Sequence, residues 1–389
     1  MGRLETRGQR NIRWIDEHCR IPEGKDVGKP VKLRPWQKRD IKKIYDNPAG
    51  TRTAIESFGR KNAKTTTAAF LLLLHLAGPE SVENGQLVST ATSKEQAALL
   101  FELAAKVVRM SPTLSPHVGI RDHNKHLYCL DRGTVYRALS SEGKTALGGS
   151  PVFAVHDELG QVKGPRSALY EAVETGMGAH ENPLSVIIST QASTDADLLS
   201  ILIDDALSGA DPRVVISLYT APMDADPFTV ATIKKANPAY GDFLNADEVK
   251  KSAADASRMP AREPSYRNLI LNQRVDVSSV FVSHTVWQEN GGAPVEDFGK
   301  ARVYGGLDLS ATTDLTALTL AAEIHDTWNV HSTFWLPEEG IMDRAKSDRV
   351  PYDMWRDQGY LQTTPGNTIE YAYIAFELRR VFDRYNIGK

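Results

Sequence analysis

The 389-residue sequence predicts an α/β fold, with a large N-terminal domain built on a parallel sheet and a smaller C-terminal domain. Continuous apolar runs alternate with helical segments, which is typical of parallel strands covered by helices on both faces. A new pair of strands follows the stretch NGGAPVEDFGK at 290–300, the best linker candidate. The chain also exceeds the roughly 250–300 residues that one hydrophobic core serves.

Composition excludes several classes of protein. The net charge of −3 means that any nucleic-acid contact must come from local basic patches. Cys19 and Cys129 are the only cysteines, which excludes a disulfide framework and fits a reducing compartment. The longest apolar run, residues 68–74, is shorter than the roughly 20 residues that span a bilayer, and the N-terminus has no apolar signal core. We therefore expect no membrane segment.

The N-terminal two thirds of the chain reads as helices and strands in alternation. Residues 11–50 look helical, with a loop between the helices at Pro22, Gly24, Gly28 and Pro30. TRTAIESFG then reads as a short strand entering a turn. KTTTAAFLLLLHLAG reads as a helix that ends at Gly78, and SKEQAALLFELAAKVVRM as a second helix with Ser93 as a possible N-cap. GQLVSTAT, PVFAVHDE and LSVIIST read as further strands.

The C-terminal third differs in composition from the rest of the chain. Residues 246–275 look helical and strongly charged, after a stretch rich in proline, alanine and aspartate. ARVYGGLDLS and TALTLAAEI read as a strand pair, and TWNVHSTFWLP follows them. The chain ends in an apparent helix, IEYAYIAFELRRVFDRYNIGK.

SFGRKNAKT resembles the phosphate-binding pattern G-x-x-x-x-G-K-[ST] with altered glycines. Phe58 and Ala63 stand at the glycine positions, whereas Lys64 and Thr65 match. In such a loop, backbone N–H groups and the lysine bind the phosphates, and the hydroxyl of the final serine or threonine binds Mg²⁺. An alanine costs little there if its φ is negative. Taken alone, an ordinary turn and helix with a surface lysine remains an equal alternative.

Two acids at the end of an apolar strand strengthen the nucleotide interpretation. An ATPase of this kind needs one acid to hold the Mg²⁺-bound water and a second to activate the attacking water. Asp157 and Glu158 in PVFAVHDELG supply both, in the order that a doubly wound fold allows. A solvated strand end with two acids is the alternative.

Two other segments could contact a nucleotide. Ser189, Thr190 and Gln191 follow the strand LSVII, where they could hydrogen-bond the γ-phosphate or the catalytic carboxylate. Trp36 and Gln37 in LRPWQ could stack on and hydrogen-bond adenine. A polar turn and a core tryptophan are the respective alternatives.

Asp308 lies within the apolar strand YGGLDLS, where a carboxylate is costly unless it is paired or binds a metal. Ribonuclease-H-like nucleases place their first Mg²⁺ ligand at such a position. The alternative is an aspartate that caps a turn, which is the interpretation we prefer for Asp314.

These motifs, in this order, resemble the large terminase subunit of tailed double-stranded DNA phages, the ATPase–nuclease of the packaging motor. The resemblance covers nearly the whole chain and includes LRPWQ, GRKNAKT, STATSKEQAALLF, VFAVHDE, IISTQ, ANPAYG, SYRNLILNQRV, GGLDLSATTDLTA and YDMWRDQGYLQTTPGNTIEY. It implies a P-loop (RecA/ASCE-like) ATPase domain followed by the start of an RNase H-like nuclease domain. Four parts follow from it: a helical segment with the adenine motif (1–50), an ATPase core (51–222), a lid or linker (223–300) and the nuclease domain (301–389).

The resemblance also assigns roles to residues by their positions in these motifs. Thr65 and Asp157 would hold Mg²⁺, Glu158 would activate water, and Arg60 resembles the family's loop arginine. Asp308 would be the first Mg²⁺ or Mn²⁺ ligand of the nuclease. The ATP-binding residues would be Gln37, Gly59, Arg60, Lys61, Asn62, Ala63, Lys64, Thr65, Ser189, Thr190 and Gln191. Arg137 and Lys144 are weak candidates for a residue acting on a neighbouring subunit.

The implied function is ATP-driven movement of double-stranded DNA into a procapsid, with DNA cleavage by the nuclease domain. The implied partners are a portal protein, a small terminase subunit and further copies in a ring, in the host bacterial cytoplasm and without a membrane. The chain stops before the family's second and third nuclease acids, so we expect it to be truncated and to have at most a crippled nuclease. A P-loop helicase or translocase, and an inactive prophage remnant that binds DNA or partners, are the alternatives.

Overall fold

The computed structural model describes residues 4–140, 149–275, 284–292, 295, 297–310, 314–348 and 350–387. The chain divides into two compact units, Met1–Trp287 and Gln288–Lys389. Both units combine helices with a sheet, which confirms the predicted α/β class. In the part of the chain that is described, no helix is both long enough and apolar enough to cross a bilayer.

The first unit contains an eight-stranded sheet with the order β3-β4-β5-β2-β6-β7-β1-β8. The strands from β5 to β8 in that order run parallel, whereas β3 and β4 form antiparallel pairs on the β5 edge. The strands are β1 (Thr53–Ser57), β2 (Gln86–Ala91), β3 (Val118–Arg121), β4 (His126–Cys129), β5 (Thr134–Ser140), β6 (Pro151–Asp157), β7 (Leu184–Ser189) and β8 (Val214–Leu218).

Buried apolar residues explain why the sequence predicts the central strands of this sheet and the long helix α3 (Lys64–Ala77). Every residue of β6 and β7 is buried, as expected for strands with neighbours on both sides and helices on both faces. Helix α3 is buried almost throughout, which accounts for its continuous apolar run. Ser93 caps the next helix by accepting a hydrogen bond from the N–H of Gln96, as predicted.

Ten α-helices are described up to residue 289, and the last of them runs from the first unit into the second. They are α1 (Arg7–His18), α2 (Pro35–Tyr45), α3 (Lys64–Ala77), α4 (Lys94–Met110), α5 (Ala168–Met177), α6 (Leu198–Ser208), α7 (Val230–Ala236), α8 (Ala246–Arg258), α9 (Glu263–Leu269) and α10 (His284–Glu289). Side chains of α7, α8 and α9 share a hydrophobic cluster with Trp36 and Phe58. The charged helices after residue 222 therefore pack beside the phosphate-loop sequence.

The second unit contains a five-stranded sheet with the order β12-β11-β10-β9-β13. Strands β9, β10 and β11 are antiparallel, and each outer strand is parallel to its neighbour. The strands are β9 (Arg302–Asp308), β10 (Thr316–Ile324), β11 (Thr327–Pro337), β12 (Gln362–Thr364) and β13 (Asn386–Ile387). The helices are α11 (Ile341–Asp348), α12 (Tyr352–Asp357) and α13 (Tyr371–Arg384).

Candidate functional site

The ends of three adjacent parallel strands, β6, β7 and β1, bring the predicted motifs to one edge of the first sheet. Residues 58–65, here called the phosphate loop, follow β1. Asp157 ends β6 and Glu158 follows it, while Ser189 ends β7. Ligands of parallel α/β sheets bind at this edge. Residues far apart in sequence therefore meet where a nucleotide site is expected.

Lys64 is not a surface lysine. Its side chain is buried, and its Nζ donates hydrogen bonds to the carbonyl oxygens of Phe58 at 2.6 Å and Gly59 at 3.3 Å. Burial lowers the pKa of Lys64 to about 8, although the charges of Glu158 and Asp157 oppose that shift. The alternative of an ordinary turn with an exposed lysine is therefore wrong for this loop.

Asp157 and Thr65 form a second contact within the site. Burial and, to a smaller extent, the charge of Glu158 raise the pKa of Asp157, and the charge of Lys64 and a hydrogen bond from Thr65 lower it, so that the resulting pKa is about 7. A carboxylate and a hydroxyl oxygen thus meet beside a lysine. Oxygen ligands of these kinds suit Mg²⁺, which keeps several waters and needs few protein groups. The donor set fits the predicted ion.

Glu158 stands at a sharp turn directly after β6. Its φ of 54° lies in the left-handed region, and its N–H donates to the carbonyl of Ile188 at 2.8 Å. Ser189 Oγ donates to Glu158 Oε2 at 3.4 Å. Glu158 also lines a cavity of about 260 Å³, together with Arg60, Lys61, Ala63, Lys64, Thr65, Thr66 and Leu103. The carboxylate therefore borders the same space as the phosphate loop.

Ala63 has a backbone conformation that its residue type disfavours. It precedes α3 with φ 60° and ψ 31°, in the left-handed region. Alanine would cost little here only if its φ were negative, and this condition is not met. A left-handed residue with a Cβ costs about 1–2 kcal/mol. The substitution of glycine by alanine is therefore tolerated at a local cost.

Gly59 and Asn62 attach the phosphate loop to α7. Asn62 is fully buried, and its Nδ2 donates to the Gly59 carbonyl at 3.0 Å and to Asn237 Oδ1 at 2.7 Å. A Cβ on Gly59 would lie 2.6 Å from the carbonyl oxygen of Ile270 and would also meet Asn237. The N–H of Gly59 donates to a carbonyl at the end of α7 at 3.1 Å. These contacts explain why a residue without a Cβ is needed at position 59 and why the buried residue at position 62 is an asparagine.

A larger cavity of about 870 Å³ adjoins the phosphate loop and is lined by Arg34, Gln37, Lys61 and Ala63, among others. Gln37 Oε1 accepts a hydrogen bond from the Arg34 N–H at 2.9 Å, and its Nε2 donates to Thr67 Oγ1 at 3.0 Å. The Gln37 amide is thus oriented by the protein at the wall of a cavity large enough for a nucleoside.

Trp36 is a core residue in this structure. Its ring is 9% exposed and packs edge-on against Phe58 and Tyr219, with centroid separations of 5.7 Å and 6.2 Å. The interpretation of Trp36 as an adenine-stacking residue has no support from this geometry, because neighbouring rings cover it.

Ser189, Thr190 and Gln191 are all buried. The N–H of Gly160 donates to Ser189 Oγ at 2.9 Å, so this hydroxyl joins the ends of β6 and β7. Gln191 is bound mainly by Asn272, a residue that the sequence analysis did not single out. The sequence carried a weak signal for it, since asparagine is enriched in the left-handed conformation that Asn272 adopts.

Asp308 differs from its sequence-based description. It is the last residue of β9, opposite Ala317 of β10, and it is exposed. The argument from the cost of a buried carboxylate is therefore wrong, because water reaches the group. Among the described residues, no three histidine, cysteine or acidic side chains converge on a metal position. Asp314 accepts a hydrogen bond from the N–H of Leu315 at 2.9 Å, as a turn residue does.

The two weak candidates for a residue acting on a neighbouring subunit remain without support. Arg137 is an exposed residue of β5. Lys144 lies outside the residues that the structure describes. The helicase alternative required a second RecA-like core, but the strands described in the second unit form a mostly antiparallel sheet.

Comparisons with known proteins agree with this arrangement. The model of the terminase large subunit ATPase domain matches residues 35–211, and that of the terminase large subunit endonuclease domain matches residues 215–382. The large terminase subunit of Enterobacteria phage HK97 is 47% identical over 383 residues, which are 98% of this chain and 76% of the relative. Protein YmfN of Escherichia coli strain K12 is 25% identical over 251 residues, which are 60% of this chain and 54% of its own length.

The crystal structure of the HK97 large terminase is also similar, with a TM-score of 0.67 and 46% identity over 98% of this chain and 79% of that chain. An ATPase and an endonuclease domain together imply the use of a nucleotide and a divalent metal ion. On these grounds the chain belongs to the terminase large subunit family and is an enzyme with that family's ATPase and endonuclease domains.

Proposed function

We propose that this protein hydrolyses ATP at the phosphate loop and uses the energy to move double-stranded DNA into a procapsid. The observation that carries the proposal is the cavity of about 260 Å³ that Lys64, Thr65 and Glu158 share, with Asp157 in contact with Thr65. One space thus adjoins a buried lysine, a hydroxyl group and the Glu158 carboxylate, and the carboxylate of Asp157 contacts that hydroxyl group.

Each of these side chains has a separate role in the proposal. Lys64, which bonds loop carbonyls here, binds the β- and γ-phosphates. Thr65 and Asp157 hold Mg²⁺, which neutralises phosphate charge when it is bound. Glu158 accepts a proton from the attacking water, and Ser189 orients its carboxylate.

The remaining candidate residues surround that centre. Gln37 hydrogen-bonds adenine in the larger cavity, and Arg60 stabilises charge on the phosphates from the wall of the smaller one. Lys61, Asn62 and Ala63 supply loop backbone, while Gly59 supplies the close approach to α7. Residues 189–191 report the state of the nucleotide to the rest of the first unit.

The division of the chain into functional parts is also a proposal. Residues 1–50 would carry the adenine motif, 51–222 the ATPase core, 223–300 the lid or linker and 301–389 the nuclease domain. The endonuclease family model begins at residue 215, whereas β8 and α7 to α9 belong to the first structural unit. Asp308 would bind Mg²⁺ or Mn²⁺ in the nuclease.

The partners proposed are those of a packaging motor: a portal protein, a small terminase subunit and a ring of identical chains on the procapsid. The family relationship supports them, together with the host bacterial cytoplasm as their location. Contacts to DNA would be made mainly to phosphates, so DNA binding should weaken steeply as the salt concentration rises.

ATP hydrolysis by the Glu158→Gln variant tests the proposal. The amide cannot accept the proton from water, so we expect the Mg²⁺-dependent rate to fall by roughly 10² or more, with and without duplex DNA. Glu171→Gln is a matched control, because Glu171 is a half-exposed residue of α5 paired with Arg166 at 2.8 Å. Equal rates in the wild type and the Glu158→Gln variant would contradict the catalytic role. No hydrolysis by either protein, together with a failure to bind ATP, would favour the inactive remnant.

A further inference from the structure

Three neighbouring parallel strands of the first unit end side by side. Ser57 at the end of β1 pairs in register with Ser189 of β7 and with Leu218 of β8. The phosphate loop continues from Ser57, and residues 190–191 and 219–220 continue from the other two strands. Small shifts between these ends would therefore change the geometry of the candidate site.

Asn272 contacts all three strand ends. Its Oδ1 accepts a hydrogen bond from the N–H of Gln191 at 2.8 Å, and its Nδ2 donates to Ser57 Oγ and to the Tyr219 carbonyl, each at 3.0 Å. Its own carbonyl accepts hydrogen bonds from Gln191 Nε2 and, at 2.8 Å, from Thr220 Oγ1. The Asn272 amide thus fixes β7, β1 and β8 relative to one another.

The environment of Asn272 suits this role. The residue is 0% exposed, and its φ of 52° lies in the left-handed region, which asparagine tolerates better than most residues. Buried amide groups that are fully hydrogen-bonded specify one arrangement, because every alternative leaves a polar atom unpaired. Asparagine therefore suits this position for two reasons: it tolerates the left-handed backbone, and its amide satisfies the surrounding hydrogen-bonding groups.

The segment that carries Asn272 also holds the phosphate loop. The Leu269 carbonyl accepts a hydrogen bond from the Arg60 N–H at 2.8 Å. Asn268 Nδ2 donates to the carbonyl of Gln191 at 2.9 Å. The end of α9 is thus bonded both to the phosphate loop and to the segment that follows β7, and Asn272 comes shortly after α9 in the chain.

A short path connects Asn272 to the carboxylate proposed to activate water. Asn272 binds Gln191, and Ser189 lies two residues earlier, at the end of β7. Ser189 Oγ donates to Glu158 Oε2 at 3.4 Å and accepts from the Gly160 N–H at 2.9 Å. A displaced β7 end would therefore displace the hydrogen bond that orients Glu158.

We propose that Asn272 is a positioning residue for ATP hydrolysis, which holds the end of β7 against the phosphate loop and thereby orients Glu158 through Ser189. The inference rests on the proposed function of Glu158. It goes beyond that function, because it assigns to the segment after α9 a role in setting the rate of hydrolysis.

Asn272→Gly tests the proposal, because glycine keeps the left-handed backbone and removes only the amide. We expect kcat for ATP to fall roughly ten-fold or more, since a small misplacement of a catalytic group is costly. The affinity for ATP should change by less than about three-fold, because Lys64 and Thr65 are untouched. Asn272→Asp, which has a similar shape but lacks the Nδ2 donor, should show the same split between kcat and affinity.

Asn84→Gly is the matched control, because Asn84 is also left-handed, with φ 58°, but is exposed in a loop. Its kcat should equal that of the wild type. All rates are measured well below the Tm of each variant and per folded molecule, so that a loss of stability alone leaves kcat unchanged. A wild-type kcat in both folded Asn272 variants would overturn the proposal.

Hydrogen exchange provides a readout that does not depend on hydrolysis. In the nucleotide-free protein, Asn272→Gly should speed amide exchange in residues 186–192 and 157–160 and leave α3 unchanged. Unchanged exchange at 157–160 would overturn the proposed path from Asn272 to Glu158. The Glu158→Gln comparison is made in parallel, so equal hydrolysis there identifies a failure of the proposed function rather than of the positioning role.

Discussion

Ala63 and Lys64 are adjacent in the phosphate loop, but only Lys64 could be interpreted from its residue type. A lysine before a helix matches a known pattern, and its burial against loop carbonyls follows once that loop forms. The φ of 60° at Ala63 could not be predicted, because alanine avoids this region and only the surrounding loop imposes it. Asn272 was missed for a related reason, since its partners lie on strands distant in sequence.

Ala63→Gly should stabilise the first unit. Glycine removes the strain of about 1–2 kcal/mol that a Cβ causes in the left-handed region, while it adds roughly 0.5–1 kcal/mol of unfolded-chain entropy. We expect a net gain of a few tenths to about 1 kcal/mol in the free energy of unfolding, measured with urea. Ala254→Gly in the exposed face of α8 should instead destabilise by about 1 kcal/mol. Losses of equal size in both variants would contradict the assignment of strain to Ala63.

Glu56 of β1 makes stability depend on pH. Burial and the neighbouring Asp40 raise its pKa from an ordinary 4.5, and Lys43 opposes them, so that the resulting pKa is about 8. The folded state therefore holds a proton that the unfolded state releases above its lower pKa. Stability falls as pH rises from about 4.5 to about 8, by at most about 1.4 kcal/mol per pH unit.

Glu56→Gln should remove this dependence, since the amide does not titrate. The free energy of unfolding of the variant minus that of the wild type should increase steadily between pH 5 and pH 8, as measured by urea titration at each pH. A difference that stays constant over this range would show that Glu56 is ionised in the folded protein.

At the scale of elements, burial decided what could be predicted. Strands β6 and β7 and helix α3 are buried throughout or nearly so, and their apolar runs identified them. The short antiparallel strands β3 and β4 were missed, because each mixes buried and partly exposed residues over only four positions. Such a pattern is too short to separate a strand from a loop.

Gly59→Ala should disturb the packing of the phosphate loop on α7. The added methyl group would lie 2.6 Å from the Ile270 carbonyl oxygen and would meet Asn237, so backbone must move. We expect a loss on the order of 1–3 kcal/mol in stability, as for other overpacked sites, and a weaker affinity for ATP. Gly306→Ala in β9 has open space around the new Cβ and should be nearly neutral. Similar stabilities for the two variants would contradict the packing role of Gly59.

At the scale of the whole molecule, the order of motifs along the chain identified the family, and the strand order explains why the motifs lie close together. Spacing alone could not show that β7 lies between β6 and β1, because that order depends on how the crossover helices pack. The exposure of Asp308 was equally hidden, since it depends on what covers β9. The nucleotide site therefore followed from sequence better than the nuclease site did.

The central claim is that Lys64 binds the nucleotide and Glu158 acts on the water, in one site. Equilibrium binding of ATP with Mg²⁺ to the wild type, Lys64→Gln and Glu158→Gln tests this division directly. Lys64→Gln keeps a donor for the Phe58 carbonyl but lacks the charge, so its affinity should fall roughly 10- to 100-fold, whereas Glu158→Gln should bind ATP about as tightly as the wild type. Lys163→Gln, a change at a more exposed lysine paired with Ser193, is the control. Wild-type affinity in Lys64→Gln would contradict the account.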